Sequence, residues 1–186
     1  MQIILRAVRL LHELCGLLLI MSDLADFLER FRRGAELLAV ATTGAAGPEL
    51  DFKPEGKWSV RQLVCHLADT EAVGVMRFRQ IIAEDNPTLN AWDQNKWAAN
   101  LDYEKRKISQ ALDIFRTLRS ANYDLLKDQP ESAFARTGMH SQRGSMTLLD
   151  WLRAYADHTE NHVKQIQDVR AAYKEHRAKP APANAS

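Results

Sequence analysis

Three histidines combine residue type and spacing in a way that can hold an ion. His158 and His162 stand four apart in Asp157-His158-Thr159-Glu160-Asn161-His162. Side chains four apart lie one turn above each other on a helix, so both imidazoles can reach one point. His66 occurs in Trp58-Ser59-Val60-Arg61-Gln62-Leu63-Val64-Cys65-His66-Leu67-Ala68-Asp69, on the apolar stripe of an earlier helix. A third imidazole from a facing helix completes a three-His set with coordination positions left open for water or substrate. That is a catalytic arrangement for one divalent ion per chain, not a closed structural one. Without an ion, three imidazoles in a bundle interior would be costly polar groups lacking partners. Taken singly, a histidine near an apolar stripe is more often a hydrogen-bonded core or rim residue. His12, His140 and His176 are read that way.

The acids around these histidines have two readings. A metal-bound imidazole normally donates its second N–H to a carboxylate or carbonyl. Asp69 lies three residues beyond His66 on its face, Asp157 adjoins His158, and Glu160 lies between the paired histidines. Plain solvated helix surface is the alternative for each. The string His-Thr-Glu-Asn-His places its Glu one position later than H-E-x-x-H, so the metalloprotease base is absent. Asp69 and Glu160 remain as candidate proton carriers, and Arg143 as a candidate anion anchor. Trp92, Trp97 and Tyr103 are candidate pocket walls, with loop packing as the alternative. Cys65 points about 100° around the helix from His66 and is read as core.

Helices must position this set. Leu24, Phe27, Leu28, Phe31, Leu37 and Leu38 give an amphipathic helix from Asp23 to about Ala41. Thr42 to Lys57, with Gly44, Gly47, Pro48, Pro54 and Gly56, reads as a linker. Ser59-Val60-Arg61-Gln62 has capping-box form and opens a second helix running to about Glu84. Its inward stripe is Leu63, His66, Leu67, Thr70, Gly74, Phe78 and Ile81. A long loop from Pro87 to Leu101 follows. The third helix spans about Tyr103 to Lys127, with Ile108, Ala111, Leu112, Phe115, Leu118 and Leu125 as its buried set. The connection Asp128 to Met146 shows no strand periodicity. Thr147-Leu148-Leu149-Asp150 caps a fourth helix whose seam is Leu148, Leu152, Tyr155, Thr159, His162, Ile166 and Val169. The class is all-α: four helices with long connecting loops. Loops longer than about twelve residues are often functional lids.

Composition narrows the function. The 186 residues suit one domain, 46% hydrophobic and 26% charged, with formal net charge +1. Scattered basic residues give no nucleic-acid footprint. Cys15 and Cys65 are too few for a disulfide framework. Residues 1–21 read as an N-terminal extension. His12 and Glu13 interrupt its apolar run, which makes it a poor secretory signal and a poor membrane span. It is either an amphipathic helix resting on the bundle or a membrane surface, or an artefact upstream of a native start at Met21. Residues 22–175 form the bundle, and 176–186 a polar, Ala/Pro-rich tail expected to be disordered.

Beyond these readings, the chain resembles the DinB/YfiT-like superfamily from about Asp23 to Val169. The resemblance rests on Lys57 to Asp69, Arg77-Phe78-Arg79, Glu84-Asp85-Asn86-Pro87, Arg143 to Leu148 and Asp157 to His162. It implies an up-down-down-up four-helix bundle, with a divalent ion, often Zn²⁺ or Ni²⁺, on His66, His158 and His162. It also implies a homodimer in the bacterial cytoplasm. Some members are S-transferases using bacillithiol, mycothiol or glutathione, one branch is an isomerase, and many are named as hydrolases of unknown substrate. Three functions stay open. The first activates a small-molecule thiol on the ion for attack on an electrophile, since a coordinated thiol loses its proton. The second hydrolyses a small molecule with metal-activated water. The third is a non-catalytic metal-binding stress protein.

Overall fold

The computed structural model describes residues 23–179. The N-terminal extension, with its proposed membrane contact, and residues 180–186 lie outside them. Helix α1 covers residues 23–42, and a short α2 occupies Pro48–Asp51. The long α3 runs Val60–Ala83, α4 Gln94–Asn100, α5 Ile108–Lys127 and α6 Leu148–Ala178. Both expected capping boxes form. Ser59 accepts from the Gln62 amide while Gln62 Oε1 accepts from the Ser59 amide. Thr147 and Asp150 do the same at α6. These caps set the phase in which His66, His158 and His162 leave their helices.

Cross-links along the helices define the topology. Arg30 of α1 binds Glu160 of α6 and the Ala41 carbonyl accepts from Arg170, so α1 and α6 run parallel. Glu71 pairs with Arg119, and Arg79 donates to Asn122, so α3 and α5 also run parallel. His66 meets His162 and, three turns further along α3, Phe78 meets Tyr155, which sets α3 antiparallel to α6 and so to α1. The order is up, down, down, up.

The long helices enclose two apolar clusters, one including Leu67, Ala68, Phe115 and Val163, the other Phe31, Phe78, Leu126 and Tyr155. Between them lies a polar layer that sequence periodicity did not suggest. Arg119 and Glu71, each 1% exposed, form an ion pair at 2.5 Å. Arg119 also donates to Thr159 Oγ1 and the Phe31 carbonyl, and its guanidinium lies 4.0 Å from the Phe31 ring centroid. The α5 seam is Ala111, Phe115, Arg119, Asn122 and Leu126. Leu118 and Leu125 are only half-buried, one position off it.

The plain four-helix bundle needs correction. The described residues hold six α-helices and a three-stranded sheet, because all three connections expected as linker or loop contain ordered elements. Strand β1, Thr88–Leu89, pairs parallel to β2, Thr137–His140, which pairs antiparallel to β3, Gly144–Thr147. A 3-10 turn at Glu131–Ala135 precedes β2. At Gly138 a Cβ would lie 2.8 Å from Leu89 Cδ1, so glycine leaves room for the buried Leu89 side chain to pack on this strand. The sheet ties the 87–91 segment to residues 139–141 and fixes both over the bundle. The third helix begins later than expected, at Ile108, after a turn in which Asp102 takes a positive φ of 50°. At the other end, residues 176–178, expected in a disordered tail, continue α6. His176 stacks on Phe52 there. Among the described residues, no helix is long and apolar enough to cross a membrane.

Candidate metal centre

His66 enters from two turns inside α3, and His158 and His162 from successive turns of the antiparallel α6. Their ligand atoms all lie within 4.8 Å of one another. The Nε2 of His158 is 3.0 Å from that of His66 and 3.1 Å from that of His162. Ligand atoms on one ion at about 2.0–2.1 Å are about 2.9 Å apart at right angles and about 3.4 Å apart at the tetrahedral angle. The observed separations fall between these values. The donor chemistry fits as well. Gln165 Oε1 lies 2.9 Å from His162 Nδ1 and accepts its proton, which leaves the Nε2 lone pair free for an ion. His66 is 1% exposed and held between two indoles, Trp58 at 5.2 Å and Trp92 at 5.4 Å between ring centroids.

Burial keeps the three rings neutral, the form that binds metal. Desolvation and then the neighbouring His162 push His66 down to about 3. Desolvation, followed by His162 and His66, pushes His158 down to about 2. Desolvation also lowers His162, against a smaller opposing effect of Gln165. In the metal-free protein these shifts have a definite sign. The depressed histidines contribute stability that is fully present above about pH 6.5, the unfolded value. It is lost as pH falls through the acid range toward their folded values. The melting temperature of metal-free protein is therefore expected to drop between about pH 7 and about pH 5, and to drop less in His66→Phe. An equal drop in both would contradict this assignment.

Other expected site residues go to different places. Asp69 accepts from the Tyr103 hydroxyl at 2.7 Å and from Arg106 at 2.8 Å, so its oxygens tie α3 to the segment before α5. Tyr103 is wholly buried and is core, not a pocket wall. Glu160 and Asp157 both bind Arg30, fastening α6 to α1. None of these three acids accepts from a histidine of the cluster. Gln165 Oε1 accepts from His162 instead, and a neutral amide one turn further along the helix carries no charge or spacing that marks it in the sequence. Replacing Gln165, which is exposed, with Ala is expected to weaken metal binding by about 10–100-fold while leaving the helix content intact. Competition with a chelator measures the first and circular dichroism the second.

A cavity of about 220 Å³ opens beside His66 and His158, between the α3 and α6 stripes. Trp92, Gln94, Trp151 and Tyr155 line it, with Arg77, His140 and Arg143 as its charged and imidazole lining. Trp97 stacks behind Trp92 at 4.5 Å. A second cavity, about 400 Å³, lies on the His162 side against Trp58, Lys57, Gln165 and Asp168. A Cβ at Gly74 would stand 2.7 Å from Tyr155 Cε1, so glycine lets the Tyr155 ring, which lines the first cavity, pack close against α3. His140, read from sequence as a hydrogen-bonded core or rim residue, is buried at 5% exposure and lines this cavity.

A profile of the DinB superfamily matches residues 28–166, three quarters of the chain. The chain belongs to the DinB superfamily. The chain is similar to "Putative metal-dependent hydrolase BH0277" of Halalkalibacterium halodurans, 31% identical over 115 residues, covering 62% of this chain and 67% of the relative. "Putative metal-dependent hydrolase OB0782" of Oceanobacillus iheyensis is 32% identical over 114 residues, 61% of this chain and 66% of its own. The chain thus aligns with about two thirds of these relatives' length. YfiT from Bacillus subtilis, described as a probable metal-dependent hydrolase with an unusual four-helix bundle topology, superposes with a TM-score of 0.77 at 24% identity. That match covers 81% of this chain and 87% of YfiT, and it shows the shared fold.

Proposed function

We propose that this DinB-superfamily chain is a metal-dependent enzyme acting on a small molecule in the cavity beside His66 and His158, with hydrolysis as its reaction. One observation carries the reading: three neutral imidazoles converge on one point that borders an open cavity. The relatives named as metal-dependent hydrolases support it. His66, His158 and His162 would hold one divalent ion, Zn²⁺ or Ni²⁺. When bound, such an ion supplies Lewis acidity, polarising a carbonyl and making water more acidic. The chain's own residues do the rest. Trp58 and Trp92 lock the His66 ring, Gln165 fixes the His162 tautomer, and Trp92 and Trp151 wall the substrate space. Arg143 brings positive charge to the cavity.

No Asp or Glu lines the cavity of about 220 Å³ among the described residues. The expected proton carriers Asp69 and Glu160 are engaged by arginines. That favours a second reading, transfer of a small-molecule thiol to an electrophile, because a thiol ionises near pH 8.5 and needs no carboxylate base. Zinc- or nickel-loaded protein assayed on esters, amides and lactams separates the two. The first reading expects product without thiol and none from His158→Ala. Turnover only when bacillithiol, mycothiol or glutathione is added with an electrophile would replace it by the second.

A further inference from the structure

Arg77 is 7% exposed and has no carboxylate partner among the described residues. Its guanidinium lies over the Trp151 ring at 4.5 Å, and one Nη2 proton goes to the Asn90 carbonyl at 2.9 Å. The Tyr155 hydroxyl is at 3.5 Å, a weak acceptor. Buried cations in a folded protein are normally paired. This one instead faces a cavity.

The neighbouring His140 adds a second unmet donor. Its Nδ1 accepts from the amides of both Gln142 and Arg143 at 3.2 Å, in the turn joining β2 to β3. With that lone pair engaged, the proton of the neutral ring sits on Nε2. Nε2 lies 3.3 Å from Arg77 Nη2, so two donors stand side by side and neither can accept from the other. Burial, with Arg77 and Arg143 close by, depresses His140 and keeps that ring neutral. Arg143 lines the same cavity from the turn. Two donors and two positive charges around one space await an acceptor with negative charge.

We infer that the Arg77–His140–Arg143 end of this cavity anchors an oxyanion of the substrate, a carboxylate or a phosphoryl group, and so aligns the rest of the molecule toward His66 and His158. This rests on the reading of the cavity as the substrate site and adds a substrate class to it: small anions. The spacing along α3 supports it. His66, Thr70 and Arg77 fall on one stripe, three turns and about 16 Å of axis from first to last, and all three line the cavity. Arg77 is a specificity residue here, remote from the reacting bond.

Trp92 and Trp151 line the cavity, so their fluorescence reports occupancy. The full chain, with and without added Zn²⁺, is titrated with benzoate, with inorganic phosphate and with neutral benzamide. Saturable quenching by benzoate or phosphate, absent with benzamide and retained without Zn²⁺, is expected. Whichever of the two quenches identifies the carboxylate or the phosphoryl class. Arg77→Gln and Arg143→Gln are each expected to weaken that binding about tenfold or more, the loss of a hydrogen bond to a charged group. Arg143 is exposed, so its variant tests the anchor even if Arg77→Gln folds poorly. Equal binding by wild type and Arg143→Gln, or equal quenching by benzamide, overturns the anchor. Anion binding without any hydrolysis leaves the anchor standing and removes only the hydrolase reading. Hydrolysis of neutral and anionic esters alike, with no anion binding, does the reverse.

Discussion

His158→Ala is expected to abolish stoichiometric metal binding while leaving a folded bundle. His158 is the middle member of the cluster, with its Nε2 3.0 and 3.1 Å from the other two. Removing it leaves His66 and His162 on different helices without the ligand that links them. The affinity loss should exceed the about 10–100-fold typical of an outer hydrogen-bond partner. His158 contributes no hydrogen bond that joins the helices apart from the histidine contacts themselves, and its ring borders a cavity, so truncation costs little packing. Two measurements check this. Metal titration should show no saturable site at micromolar ion, and the rise in melting temperature that metal gives the wild type should disappear. A variant that still melts higher with metal would mean the ion sits elsewhere.

Arg119→Met is expected to be the most destabilising single change, costing about 3–5 kcal/mol. It strips Glu71, 1% exposed, of its counter-charge and leaves Thr159 Oγ1 and the Phe31 carbonyl without their donor. Glu71 is already pushed up by desolvation, which Arg119 opposes. Urea denaturation gives the magnitude. The double variant Glu71→Leu with Arg119→Met is expected to recover much of the loss, because a buried pair replaced by apolar groups is often near neutral. A double variant as unstable as the sum of two damaging singles would contradict this account of the polar layer. This layer links α1, α3, α5 and α6 next to the histidines, so its loss should also loosen the metal site.

Much of the frame was legible because helix signals are local. The Ser59 and Thr147 caps, the stripe through His66 and the seam through His162 are all written in short stretches of chain. Three helices therefore begin within a residue of the expected position. The α5 seam was expected correctly at Ala111 and Phe115 and misread by one position beyond them, since apolar periodicity favours Leu118 and Leu125 over Arg119 and Leu126. Only three-dimensional pairing with Glu71 reveals why a charge lies inside. The small sheet escaped for a related reason. Strands of two and four residues containing Gly138 carry no period, and their pairing joins segments about fifty positions apart. The site divides the same way. Its three histidines were visible by spacing, whereas Gln165, Trp58, Arg77 and His140 are ordinary residues until folding aims them. Asp69 and Glu160 were the reverse: correct in spacing, but claimed by Arg106 and Arg30.

The central claim is that one divalent ion binds where the three imidazoles meet. Anomalous diffraction at the metal edge, on crystals of protein loaded with Zn²⁺ or Ni²⁺, tests it most directly. One strong peak per chain is expected, within about 2.0–2.2 Å of the Nε2 atoms of His66, His158 and His162. A peak placed elsewhere, or one within bonding distance of His158 and His162 but not of His66, would contradict the account.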